Sequence, residues 1–474
     1  MNEGHFAPGP KGHWLLGSLQ EINRDALKLF SRAQTEYGDI VRLRLAHKVA
    51  HVLSHPAMAE QALIGDTQSF VKYTQIKKQL GLSLILGKGL LSSYGEFWRQ
   101  QREFMNPMFR PASIDAVADS VLACGRRMVD RLDEGARNAA PVDIWQECVR
   151  TALDTVLASL FGAHAARDAD EIGDAMTVLL RHAFASIRNP LTPPLSWPTR
   201  RNREFWAALR IVDDRVNRLI RDRMSEVTRK DDFLDLLLFK TQEASGKRMP
   251  PSQVRDEAVT MLAAGHETTA ATLTWALAQI AREPRIADRI REELGRIVGA
   301  APLKASHLPE LRYLQAVAQE TLRLYGSAAV ISRAVIRDTR ISGYRIPAGS
   351  MVFVCVYNIH RHADFWDRPH EFLPERFLTK QSREQKHRCA YIPFGAGERF
   401  CIGRNFASLE LLAFLAQLIG AFDLEVAGSW PIKSEFAITL RPAESVYLRV
   451  RRATRALASA TIAEPVLIAG ARNN

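Results

Sequence analysis

Cysteine is scarce in this 474-residue chain, which holds only Cys124, Cys148, Cys355, Cys389 and Cys401. The odd number, the wide spacing and the lack of any C-x-x-C pair argue against a disulfide framework and a structural zinc site. Long apolar runs are missing as well. No stretch of about 18 apolar residues occurs, so no membrane span is expected. The opening MNEGHFAPGPKGHWLLGSL is polar and broken by Pro8, Gly9 and Pro10, and reads as neither a signal-peptide core nor an anchor helix. The expectation is therefore a soluble, cytoplasmic protein. No repeat and no linker divides the chain. The nearest candidate, NPLTPPLSWPT from Asn189 to Thr199, reads as a loop because similar helical patterns flank it. The basic residues behind the net charge of +12 form no single run. That disfavours nucleic acid and favours an acidic protein partner.

Apolar residues make up 47% of the chain and charged residues 24%, which is the composition of a globular protein with a sizeable core. Apolar residues recur three and four apart over Asp25 to Tyr37, Ile114 to Glu134, Ile144 to Leu160, Phe205 to Ser225 and Gln253 to Arg282. Strand-like runs are short: DIVRLRLAHKVAHVLS near the start, then VISRAVIRDTRISGYRIPAGSMVFVCVY and SVYLRVRR. Within the second, ISGYRIPAGSMV has the turns of a hairpin. The fold class is mainly α with small mixed β-sheets. One domain over residues 1–452 is expected, with 453–474 an exposed tail.

Five short motifs carry chemistry. In PFGAGERFCIG, Cys401 stands in a glycine-rich turn just before an apolar helix. Most lone cysteines are buried small hydrophobes. Here, however, Gly395, Gly397 and Gly403 permit tight turns and close approach of a flat ligand. The helix start favours a thiolate, which suits the proximal ligand of haem iron. In AVAQETLRLY, Glu320 and Arg323 share a helical face, and an ordinary surface ion pair would look the same. FWDRPHEFLPERF places Pro374, Glu375, Arg376 and Phe377 in an aromatic and proline-rich loop. MLAAGHETTAATLTWAL encloses a polar island, Gly265 to Thr269. It is no zinc-protease helix, since Ala270 stands where a second His is needed. Acid beside hydroxyl suggests a local helix break that accepts a ligand and passes protons. In EFWRQQREF, Trp98 and Arg102 lie on one side of a helix and either form a plain amphipathic face or bind an anion.

Taken together, the chain resembles the cytochrome P450 family of haem-thiolate monooxygenases, soluble bacterial type. F-x-x-G-x-R-x-C-x-G is met at Phe394, Gly397, Arg399, Cys401 and Gly403. E-x-x-R is met at Glu320 and Arg323, P-E-R-F at Pro374 to Phe377, A-G-x-E-T-T from Ala264 to Thr269, and W-x-x-x-R at Trp98 and Arg102. The order is the family's, and coverage runs from about Pro8 to Arg452. The resemblance implies haem b buried between the oxygen-binding helix and the Cys-loop helix. Cys401 is then the axial thiolate, with Phe394 beside its sulfur and Ala264 against the ring. Trp98, Arg102, Arg333 and Arg399 would hold the propionates. Glu320, Arg323 and Arg376 would form a buried charged cluster supporting the Cys401 segment, and Glu267 and Thr268 would deliver protons.

The implied reaction inserts one oxygen atom from O2 into an apolar small molecule of fatty acid, terpenoid or steroid class. The pocket is expected from Phe70 to Lys88, Leu179 to Ile187, Met261 to Thr268, Gly326 to Ile331 and Phe436 to Leu440. Electrons would come from NAD(P)H through an acidic ferredoxin or flavodoxin and its reductase, docking on Arg99, Arg110, Arg388 and Arg404. A monomer without membrane anchor is expected. The rival readings are a non-catalytic haem sensor or carrier, and a peroxide-using or rearranging relative. The former leaves the acid–hydroxyl pair without purpose, and the retained Glu267 and Thr268 argue against the latter.

Overall fold

The computed structural model describes residues 5–72, 82–138, 140–162, 169–188, 192–230, 232–240, 249–379, 387–436 and 438–453. The expected tail lies outside them beyond Ala453, as do 73–81 and 437 of the expected pocket and the side chain of Ile187.

The helices follow the apolar period. They are α1 (Leu19–Tyr37), α2 (Gly95–Met105), α3 (Pro111–Arg137), α4 (Ile144–Phe161) and α5 (Ala169–Arg188). After them come α6 (Arg200–Ser225), α7 (Pro251–Arg282), α8 (Pro284–Ile297), α9 (Arg312–Tyr325) and α10 (Arg404–Ala421). Local chemistry sets their starts. Proline opens α3, α7 and α8, where its missing N–H has no partner to lose. Asp143 Oδ1 accepts the Trp145 and Gln146 amides at the head of α4, at 3.1 and 3.3 Å. Thr199 Oγ1 accepts the Asn202 amide at the head of α6, at 3.1 Å. The start expected at Asp25 is a kink inside α1. Asp25 has non-helical φ −162° and ψ 95°, and its carboxylate accepts the Lys28 amide, 3.0 Å. Pro193 to Thr199 is loop, as expected.

The strands form small sheets. The largest has the order β1 (Ile40–Leu45), β2 (Lys48–Leu53), β8 (Met351–Val354), β5 (Ile331–Val335), β3 (Phe70–Val71), antiparallel except for the β2–β8 pair. The hairpin read from the sequence is β6 (Thr339–Ile341) and β7 (Tyr344–Ile346). Ser342 and Gly343 turn it with φ 48° and 86°, the positive pair a two-residue hairpin needs. Strand β12 (Tyr447–Arg452) lies between β4 (Val142–Asp143) and β9 (Phe422–Val426). The remaining pair is β10 (Ser434–Phe436) with β11 (Leu440–Pro442).

Two helices cross the interior. Helix α7 is buried along most of its length, and α10 is apolar on nearly every side, with Phe406, Leu411, Phe414, Leu415, Leu418 and Ile419 buried. A helix without a polar face has to lie in the core, and α10 packs between α3 and α7. Thr269 Oγ1 of α7 donates to Glu410 Oε2 of α10, 3.1 Å, and joins them. Burial pushes the Glu410 carboxyl up to about 8, so near neutral pH it is protonated and adds no bare charge to the core.

Glu320 and Arg323 are no surface pair: both side chains are fully buried. Arg323 donates to both carboxylate oxygens at 2.7 and 2.8 Å. Arg376 Nε adds a bond to Glu320 Oε1 at 3.0 Å, and the Leu373 amide another at 2.8 Å. Glu320→Ala should therefore cost about 3–5 kcal/mol, because it strands two guanidinium groups away from water. Denaturant unfolding of the holoprotein checks this, and a loss under about 1 kcal/mol, the range of an exposed pair, would contradict it.

Candidate active site

The cysteine loop is drawn tight by its own backbone. The Gly395 amide donates to Ile392 O at 3.0 Å, Phe400 to Gly397 O at 3.1 Å, and Cys401 to Phe394 O at 2.9 Å. Gly397 has φ +75°, and a Cβ there would stand 2.0 Å from the Leu63 carbonyl oxygen, so only glycine fits. Phe394 is half-buried inside this loop. Helix α10 begins at Arg404, with Gly403 as its cap, slightly later than expected. Protein surrounds Cys401 on most sides, yet the residue keeps open surface. Burial pushes its thiol up, against the Gly403 amide and the charges of Arg102 and Arg404. The head of the helix pulls the thiol toward ionisation, and desolvation opposes that pull more strongly.

Ala264 is exposed midway along α7, between buried Ala263 and buried His266. Cys401 and Ala264 both keep open surface although they lie on core helices or at their heads.

Positive charge collects beside it. Trp98 is buried, and the Arg399 guanidinium lies over its ring at 4.2 Å. Arg399 Nη2 donates to Ser93 O at 2.8 Å, and Arg333 Nη1 to Ser332 O at 3.0 Å. Burial first, then Arg333 and Arg102, lower the Arg399 group to about 10, opposed only by Glu398. Burial lowers Arg333 and Arg102 too, and Arg102 feels Cys401. Lys72 joins them: burial, then Arg399 and Arg333, push its ammonium down to about 7. Among the described residues, none of these four cations makes a salt bridge to a carboxylate. The structure thus brings together Trp98, Arg102, Arg333, Arg399 and Cys401.

A strap places Ser93. Asp256 Oδ2 accepts the Lys88 amide at 2.7 Å, Glu257 Oε2 accepts the Leu90 amide at 2.9 Å, and Arg255 Nη1 donates to Ile85 O at 2.8 Å. The chain before α2 is thereby sewn to the first half of α7.

On α7, the expected break is absent, and the helix runs unbroken from Pro251 to Arg282. Thr268 Oγ1 donates to Ala264 O at 2.6 Å, one turn back, so that carbonyl is not free. Gly265 serves packing. A Cβ on it would meet Val156 Cγ2 of α4 at 2.6 Å, so it permits close helix packing. Glu267 is not hydrogen-bonded to Thr268 but accepts from Arg441 Nη1 at 2.7 Å. It lines a cleft of about 220 Å³ with His266, Arg441, Trp145, Arg181 and Glu444.

Of the expected docking arginines, Arg404 lies over Phe400 at 5.2 Å, and Asn405 Nδ2 donates to Phe109 O at 3.3 Å, which brings Arg110 alongside. Arg388 is engaged by Glu60, and Arg99 pairs with Glu96 at 3.4 Å. Sequence reasoning missed Ser93, Arg441 and Glu410, and it held Lys72 only within the expected pocket stretch Phe70 to Lys88, not among the cations. Glu410 alone had a signal, as a single acid in an otherwise apolar helix.

The family model described as cytochrome P450 matches residues 7–449. Protein LUTEIN DEFICIENT 5, chloroplastic, of Arabidopsis thaliana is 29% identical over 94% of this chain and 78% of its own length. Cyclooctatin synthase of Streptomyces melanosporofaciens is 28% identical over 91% of each chain. Cytochrome P450 4d2 of Drosophila melanogaster is 28% identical over 94% of this chain and 93% of its own. Among the described residues no helix is long and apolar enough to cross a membrane.

The residues fit haem b: a flat dianion would meet a sulfur ligand with open surface and, at its edge, basic side chains that form no salt bridge among the described residues. Replacing Arg399 with Leu should speed transfer of haem to an excess of apomyoglobin roughly tenfold, the scale of one charge-assisted hydrogen bond. Replacing exposed Arg110 with Leu should leave that rate as it is.

Proposed function

The chain belongs to the cytochrome P450 family, and from that premise we propose that it oxygenates an apolar small molecule of fatty acid, terpenoid or steroid class. Its electrons come from a separate redox partner. The observation that carries this reading is the group of four buried or half-buried basic side chains beside Cys401 that form no salt bridge to a carboxylate among the described residues. Haem b, when bound, supplies the iron at which O2 is activated, with the Cys401 thiolate donating electron density to it.

The chain's own residues do the rest. Lys72, Arg102, Arg333 and Arg399 neutralise the propionates, and Trp98 supports Arg399 from below. Phe394 covers the sulfur side of the loop. Ala264 presents a small apolar surface to the ring and leaves room for substrate. Thr268 Oγ1 gives a proton to the dioxygen co-substrate, and Glu267 restores it from the water-accessible cleft it shares with Arg441. A small apolar substrate fits the expected lining: exposed Ala328, half-buried Val330 and Ile331, and buried Leu440 carry no charge. One domain over 1–452 houses these steps.

Electrons reach the site from NAD(P)H through an acidic ferredoxin or flavodoxin that meets a monomer at Arg404 and Arg110. Arg388 contributes less, since Glu60 already neutralises it. A cytoplasmic setting agrees with five cysteines that are all free.

Two substitutions test the reading. Cys401→Ser should abolish the strongly red-shifted Soret band of the reduced CO complex, and a band that persists means another residue is the ligand. Thr268→Ala should retain haem and substrate affinity while product formed per NAD(P)H falls and hydrogen peroxide rises. A product ratio unchanged in both Thr268→Ala and Thr268→Val would remove the hydroxyl from oxygen activation.

A further inference from the structure

His360 is fully buried at the end of the short helix Val356–Ile359, and no step above uses it. Both ring nitrogens are engaged. Nδ1 lies 3.0 Å from the carbonyl oxygen of Arg323, and Nε2 lies 2.9 Å from the amide nitrogen of Ile392. A carbonyl can only accept, so Nδ1 carries the proton. An amide N–H can only donate, so Nε2 offers its lone pair. The partners therefore select one neutral tautomer. Burial, helped by the Arg323 and Arg361 charges, pushes the ring down to about 3, which keeps that tautomer in place throughout the neutral range.

The two partners belong to the two halves of the sulfur-bearing side. Arg323 belongs to the buried cluster centred on Glu320, which Arg376 also joins, and its Nη1 donates to the His360 carbonyl at 2.7 Å. Ile392 opens the cysteine loop. Its carbonyl accepts the Gly395 amide at 3.0 Å, and two residues further on Phe394 O accepts the Cys401 amide at 2.9 Å. The ring is fixed on its flank by Tyr391, stacked at 5.4 Å and 27°, whose hydroxyl donates to Gln319 O at 3.0 Å.

We propose that His360 is a positioning residue for Cys401: by accepting the Ile392 amide it fastens the start of the cysteine loop to the Glu320–Arg323–Arg376 cluster. The inference rests on Cys401 being the iron ligand. Any slack at Ile392 is passed through the Ile392–Gly395 turn to Phe394, the residue whose carbonyl holds the Cys401 amide. His360 thus acts on the sulfur's geometry without touching it.

Two holoprotein variants separate this from a general structural role. In His360→Gln, Oε1 falls where Nε2 stands and still accepts the Ile392 amide. In His360→Asn, the side-chain amide still donates to Arg323 O but nothing reaches Ile392. Each variant loses one hydrogen bond, so a merely structural role would affect both alike. The readouts are the rate at which the red-shifted Soret band of the reduced CO complex is lost and the midpoint potential of the iron. His360→Gln should stay near wild type in both. His360→Asn should lose the band on the order of five- to tenfold faster, the scale set by one buried hydrogen bond, and its potential should shift. Equal behaviour of the two variants overturns the inference. Should either fail to fold, hydrogen exchange in the wild-type holoprotein decides. The Ile392 amide should be protected as well as that of Cys401, and exchange as fast as an exposed loop amide overturns the proposal. A band that survives Cys401→Ser overturns the ligand assignment beneath it. A band lost there, but indifferent to the choice of Gln or Asn at 360, overturns the inference alone.

Discussion

Like charges held together away from water repel strongly and lose hydration, so a protein tolerates them only where an opposite charge is to arrive. Lys72, Arg102, Arg333 and Arg399 meet in this way from four distant parts of the chain. Each is placed by something rigid. Arg333 comes from a central strand of the five-stranded sheet, Arg102 and Trp98 from one face of α2, Lys72 from the end of the edge strand β3, and Arg399 from the cysteine loop. Ser93, the acceptor that steadies Arg399, is itself held by the strap that Asp256 and Glu257 sew to α7. The cost of gathering these cations falls on the protein alone, and the return comes when a dianion is bound. Affinity for the cofactor and strain in its absence are on this view the same electrostatic term with opposite sign.

Much of this was legible in the sequence, and the failures have physical reasons. The long helices show themselves because a 3.6-residue period survives over many turns, and the hairpin at Ser342–Gly343 because its turn chemistry is local. Cys401, Arg399 and Trp98 stand in short patterns whose residues are neighbours in the chain. Lys72 has no such neighbours, because its partners lie hundreds of residues away and a lone Lys in FVKYT looks like any surface lysine. Arg441 likewise carries no sign that Glu267 is its partner. Gly265 was readable as a glycine but not as one facing Val156. The sequence shows that a side chain is missing, while only the fold shows what occupies the space. The opposing forces at Cys401 were only half legible for a related reason. A helix start can be read from residues, but the extent of burial that opposes it cannot.

The two sides of the proposed site are built from different bonds, and the difference matches what each side is asked to do. On the sulfur side the contacts are buried: the Glu320–Arg323 pair without exposure, neutral His360, and the backbone bonds of the glycine loop. An electron-donating ligand needs a constant geometry, since small changes in its hydrogen bonding move a potential. On the α7 side the contacts are few and open to exchange. Glu267 is held by one ion pair, to Arg441, in a cleft about 220 Å³ in volume. The Thr268 hydroxyl donates to a carbonyl of its own helix, a local partner that is easily given up. A carboxylate that takes protons from water must have a partner it can leave, and a hydroxyl that passes them on must be free to rotate. Closing the cleft and enclosing Glu267 in a network like that around Glu320 would remove its access to protons. The Glu267–Arg441 pair, largely buried yet open to the cleft on one side, is on the proposed reading the arrangement that admits protons to the interior.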